Sequence, residues 1–171
     1  EPVPVAPRRD DYALAAGADR GQRRAGAIAG GTSSLAWAAV PPAVFDSAES
    51  TIDWRLEASD QGTNAIVGVE LSGPVSPSGI GVRLHSGTFT GTGVLNGRGQ
   101  ARFPVVDGAG QPEAESAAWN HDWTSTTVTV GAPVEESSQT RQRVRDFVRV
   151  RLATPASDAF LAEILAAESD Y

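Results

Sequence analysis

From Thr51 onward the chain alternates apolar and polar residues with a period of two, the pattern of half-buried β-strands. In "TIDWRLEA", Ile52, Trp54 and Leu56 share one face, and Asp53, Arg55 and Glu57 share the other. The alternation recurs in "AIVGVEL" through Val67, Val69 and Leu71, and in "IGVRLH" through Ile80, Val82 and Leu84. "GTFTGTGVL", "QARFPVV", "TSTTVTV" and "DFVRVRLA" continue the series, the last with Val148, Val150 and Leu152 in step. Turn signals separate the runs: Asp60 to Asn64, "SGPVSPSG", and a low-complexity gap from Asp107 to Ser116. About seven short strands predict a mainly β fold, an antiparallel immunoglobulin-like sandwich. The crossover helices of a parallel βαβ fold are missing.

The two ends read differently. Residues 1–50 form an N-terminal arm that opens with the extended, Pro-rich "EPVPVAPRRDD". An Ala-rich stretch from Asp10 to Ala29 has room for one or two short helices. "SSLAWAAVPPAVF" then predicts a short helix with a Ser N-cap that stops at Pro41 and packs Trp37 on the following domain. Residues 51–153 hold the sandwich. Residues 154–171 predict a C-terminal helix, with Thr154 as N-cap, Pro155 at the first helical position and Asp158 in the first turn. Phe160, Leu161, Ile164 and Leu165 line one side of it, a stripe that must dock on the sandwich or on a partner.

The glycine-rich stretch Gly91–Gly99, "GTGVLNGRG", raises the question of a phosphate-binding loop. A dinucleotide fingerprint needs a third glycine where Asn96 stands, and a helix where a strand follows. Asn96-Gly97 between strand-like flanks is instead a hairpin signal. Around this hairpin, "IVGVELSGPVSPSGIGVRLHSGTFTGTGVLNGRGQARFPV" resembles a carboxypeptidase-regulatory or transthyretin-like sandwich, with its "V-x-V-x-L", "G-x-x-T" and "D-x-x-G-x-F" pattern. More narrowly, "EPVP" at Glu1, "LAW" at Leu35 and "FDSA" at Phe45 resemble the head of small actinobacterial accessory proteins that carry such a domain. The resemblance covers roughly residues 1–106. It departs at Asn96, where Asp is usual, and in the segment from Asp107 to Tyr171. It implies an accessory or regulatory protein with no catalytic residues to carry over.

Composition narrows the chemistry. A chain of 171 residues fits one domain with appended segments. The net charge of -7 argues against nucleic acid as partner. Every basic residue is Arg, so Schiff-base chemistry and a P-loop are excluded. The Arg-only, Ala-, Gly- and Val-rich vocabulary suggests a GC-rich genome. With no Cys, disulfides and thiolate chemistry also drop out, although this does not decide between a cytoplasmic and an extracytoplasmic site. No apolar run is long enough to insert in a membrane as a helix. The absence of Met implies that Glu1 is not a translational start: either a leader was removed or a tail precedes it.

Few constellations suggest catalysis, a metal or a cofactor, and none is expected. Only His85 and His121 exist, neither in a nucleophile-elbow or zinc-ligand spacing. Asp10-Asp11 and Glu135-Glu136 read as solvated charge. Arg143 with Arg145, and Arg149 with Arg151, would share strand faces and make a positive strip. That strip suits a charge-protected edge strand or an acidic protein partner. "AAWNHDW", Ala117 to Trp123, is the best candidate site. Trp123 is expected in the core and Trp119 at the surface. Trp119, Asn120, His121 and Asp122 would form a contact platform for a protein or a carbohydrate. The leading expectation is a non-enzymatic accessory module that binds a protein through sandwich, arm and C-terminal helix. A carbohydrate- or small-ligand-binding sandwich using the Trp-rich loop is the alternative.

Overall fold

The computed structural model describes residues 27–153. Seven strands form one antiparallel sheet: β1 (Ala27–Ser33), β2 (Ile52–Ser59), β3 (Gly62–Val69), β4 (Gly81–Ser86), β5 (Phe89–Val94), β6 (Gln100–Val106) and β7 (Thr127–Val130). Their spatial order is β1-β2-β3-β6-β5-β4-β7. Two helices, α1 (Glu115–Asn120) and α2 (Ser138–Ala153), flank β7 in sequence. The protein is mainly β, as the alternation predicts.

β6 joins the two halves of the sheet. Its residues from Gln100 to Pro104 pair with β3, while Val105 and Val106 pair with β5. Each half turns its apolar face to the same core, so the sheet curls into a nearly barrel-like body. Ile52, Trp54 and Leu56 of β2 and Ala65, Val67 and Val69 of β3 meet Val82 and Leu84 of β4 and Val128 and Val130 of β7 in one cluster. Phe103 fills the middle, over the backbone of β5. A Cβ at Gly91 would lie 2.8 Å from its ring, so the strand interior needs glycine there.

The Gly91–Gly99 stretch ends in a hairpin, closed by the Asn96 N–H donating to the Gln100 carbonyl at 2.8 Å. The positive φ of +72° falls on Gly99 rather than Gly97, which makes this a three-residue loop with a glycine bulge. The other end of β6 repeats the device. The Asp107 N–H donates to the Gln111 carbonyl at 2.9 Å, and Gly110 takes φ +78°. In both loops the first side chain, Asn96 Oδ1 or Asp107 Oδ1, accepts two backbone N–H groups.

Three expectations change. Residues 27–33, read as arm with short helices as far as Ala29, form β1 on the edge of the sheet. Gly30 and Gly31 permit this pairing, since a Cβ on either would lie 3.0 Å from Trp54. The expected helix near Trp37 shrinks to a 3-10 turn, Trp37–Ala39, whose N-cap Ala36 offers no side-chain cap. "DFVRVRLA" is not a strand. It belongs to α2, started by Ser137 Oγ, which accepts the Thr140 N–H at 3.1 Å. Arg favours helix more than β-branched residues do, and Gln142 and Arg149 both bond Asp146 at helical spacing. The edge-strand reading of the arginines therefore falls. The C-terminal helix with Phe160, Leu161, Ile164 and Leu165, and the arm before residue 27, lie outside the described residues.

Candidate functional site

The Trp-rich segment is ordered by its own polar groups. Asn120 Nδ2 donates to the Ser116 carbonyl at 2.8 Å and the His121 N–H donates to that of Ala117, closing α1. Asp122 Oδ1 then accepts the Thr124 N–H at 3.0 Å and the Thr124 hydroxyl at 2.7 Å, starting a 3-10 turn at Trp123–Ser125. The Thr124 hydroxyl, with its backbone N–H, holds the Asp122 carboxyl below the usual range. Trp123 is only 8% exposed, and its indole N–H donates to the Ala118 carbonyl at 2.7 Å. It closes the end of the core.

His121 turns inward as well. Its ring meets Phe89 edge-on at 4.7 Å and Trp123 at 4.5 Å. Its Nε2 lies 3.0 Å from Ser86 Oγ, which also receives the Thr126 hydroxyl at 3.0 Å. A Ser–His contact invites comparison with a hydrolytic dyad. Ser86 is fully buried at 0% exposure, so its hydroxyl faces the protein interior rather than a substrate. The contact joins residues 35 apart, and no spacing in the sequence announces it.

Of the expected platform, Trp119 alone presents a ring to solvent. It is 53% exposed, and its indole N–H donates to Glu115 Oε1 at 3.2 Å. Asn120 and Asp122 are exposed but engaged in local bonds, and His121 and Trp123 face the core. The two indoles do not share a surface. Nearby, Glu113 is 4% exposed, with Oε1 lacking a hydrogen-bond partner among the described residues. Burial pushes its carboxyl pKa up, and the charge of Asp107 adds to this while His121 opposes it.

A second region was missed by the strand reading. Arg141, 6% exposed, makes a bidentate pair with Glu49: Nε donates to Oε1 and a terminal nitrogen to Oε2, both at 2.8 Å. Arg145 reaches Glu49 Oε1 at 3.1 Å and the Ser47 carbonyl at 2.8 Å, and its guanidinium lies 4.8 Å above the Trp37 ring. Glu136 accepts the Ala38 N–H at 3.0 Å, tying the approach to α2 to the same loop. The Arg141 guanidinium, followed by the Ser34 hydroxyl, holds the Glu49 carboxyl at about 2, while Glu49 raises the pKa of Arg141. These arginines clamp the inner side of α2. Val144, Phe147, Val148 and Val150 remain exposed, Phe147 at 66% and Val150 at 69%.

Among the described residues no group of three or more His, Asp or Glu side chains could hold a metal ion, and no helix is long and apolar enough to cross a membrane. The fold and these two regions define an antiparallel, mainly β protein with a clamped arginine-rich helix. No protein-family model matches the chain, and neither a curated protein nor a solved structure does.

Proposed function

We propose that the protein is a non-enzymatic accessory module that binds a protein partner through the outer face of α2. One observation carries this reading: a helix with arginines clamped inward and Phe147 and Val150 turned to solvent. Exposed aromatic and aliphatic side chains on one helix suit a partner groove, in which an aromatic anchor supplies most of the binding energy. Outside the clamp, α2 carries Arg143, Arg149 and Arg151 against one aspartate, Asp146, on a chain of net charge -7. Its partner is accordingly an acidic surface with an apolar centre.

The test compares the whole chain with Phe147→Glu in affinity capture, followed by cross-link mapping of the captured partner. Cross-links to Arg143 through Arg151 that vanish with Phe147→Glu and weaken with salt are expected. A partner retained by Phe147→Glu contradicts the reading. Glycan binding remains a second reading because the Trp119 indole is exposed. A glycan array probed with the whole chain and Trp119→Ala tests it, and equal signals from both would remove Trp119 as its site.

A further inference from the structure

The outer face of the sheet carries a depression that packing leaves unexplained. Two residue rows cross β2, β3 and β6 there. Asp53, Gly68 and Gln100 form one, and Arg55, Ile66 and Arg102 form the next. Gly68 sits inside β3 with a strand neighbour on both sides, yet no atom lies within 4 Å of where its Cβ would stand. Its φ is not in the positive range. Neither backbone conformation nor close packing calls for glycine at this position. A glycine inside a strand is destabilising, and close approach by a ligand is one of the reasons for which a strand keeps one. The resulting trough has a volume of about 410 Å³, within the range of small-molecule sites.

The walls have complementary chemistry. Asp53 and Gln100 face each other across the missing side chain, separated by two strand spacings, about 10 Å. That span suits a single sugar-sized ring resting on Gly68 and against Ile66. From the row beyond, Glu57 accepts from Arg55 Nε at 2.7 Å and lies 3.7 Å from the Arg102 guanidinium. One carboxylate thus steadies two guanidinium groups. The Arg102 side chain is exposed and makes no hydrogen bond among the described residues, its ion pair with Glu57 being long at 3.7 Å, so it has donors left for a ligand.

We propose that this trough binds a polyhydroxylated ring bearing one carboxylate, of the uronic-acid class. Hydroxyl groups donate to Asp53 and accept from the Gln100 amide, while the carboxylate takes the planar donor fork of Arg102. The ring's apolar face covers Ile66. This site is separate from α2 and from Trp119, and it does not depend on the protein-binding reading.

The test is an amide chemical-shift titration of the whole chain with D-glucuronate, D-glucose and acetate. D-glucuronate should shift Asp53, Arg55, Gly68, Gln100 and Arg102, with a Kd of about 1 mM for a ligand of this size in an open site. D-glucose should bind about tenfold more weakly, and acetate alone should not saturate. Gly68→Val fills the trough with a strand-favouring side chain, so it should keep the fold by circular dichroism while abolishing the shifts. Arg102→Gln should remove the preference for glucuronate over glucose. Absence of localised shifts with glucuronate, or identical shifts in a folded Gly68→Val, overturns the site. Equal responses to glucose and glucuronate overturn the assignment of the carboxylate.

Discussion

The Trp-rich segment and α2 both combine aromatic and polar residues, yet they face them in opposite directions. In the segment around Trp123, the aromatic ring goes inward and the polar groups cap the local backbone. In α2 two charged groups go inward, Arg141 and Arg145 closing on Glu49, while Val144, Phe147, Val148 and Val150 face water. The first arrangement is complete in itself. The second leaves Phe147 and Val150 uncovered while burying a charge at the cost of its hydration. A helix built this way gains nothing from its apolar residues until another surface covers them.

The largest effect should come from the inward half of this contrast. Trp123→Ala removes the plug of the core and should cost about 3–5 kcal/mol in chemical denaturation. Next comes the clamp. Glu49→Ala strands the buried Arg141 guanidinium and should cost about 2 kcal/mol, below the value for fully buried pairs because Glu49 is partly exposed. Hydrogen exchange should then accelerate in α2 and not in β2 or β3. If β2 and β3 loosen equally, α2 is integral to the core rather than clamped on it.

Acid should reproduce the release of the clamp in milder form. The Glu49 carboxyl is held at about 2 against an ordinary 4.5. Its stabilising contribution is therefore whole above pH 4.5 and fades as the pH falls toward 2, with a magnitude of about 1 kcal/mol after allowance for solvent screening. Glu113 acts in the opposite sense. Its folded pKa is raised by burial, so the folded protein holds this proton more firmly than the unfolded chain, and stability declines as pH rises through the raised value. Glu113→Gln should raise Tm at neutral pH and have less effect in acid. A lower Tm at neutral pH would show the charged carboxylate to be stabilising. Trp119→Ala should have the smallest effect on denaturation, within about 0.5 kcal/mol. A loss comparable to that of Trp123→Ala would show that both indoles serve packing.

Much of the sheet is visible in the sequence because its inward positions are apolar at every second residue, as at Ile52, Trp54 and Leu56. The separation of Trp119 from Trp123 is visible too, since one indole beside β7 has a core to enter. The misreading of α2 has a physical cause. Val148, Val150 and Leu152 alternate as a strand would, while the decisive fact is that Arg141 and Arg145, one turn apart, meet one carboxylate 92 and 96 residues away. β1 is equally hidden, because "AIAGGTS" has little strand propensity and acquires its form from pairing with β2. Ser86 and His121 meet only through the fold. The paired loops were within reach: "NGRGQ" at Asn96 and "DGAGQ" at Asp107 are one motif written twice, and the second lay inside a stretch read as low complexity.

The measurement that most directly tests the outward face of α2 is photo-cross-linking from position 147. The whole chain carries Phe147→p-benzoyl-phenylalanine, with the same substitution at Trp119 as the comparison, and is irradiated in the cells that make it. The expected result is a salt-sensitive adduct from position 147 to an acidic segment of another protein, more abundant than any adduct from position 119. No adduct from position 147, or adducts only within its own chain, would contradict a partner-binding face on α2.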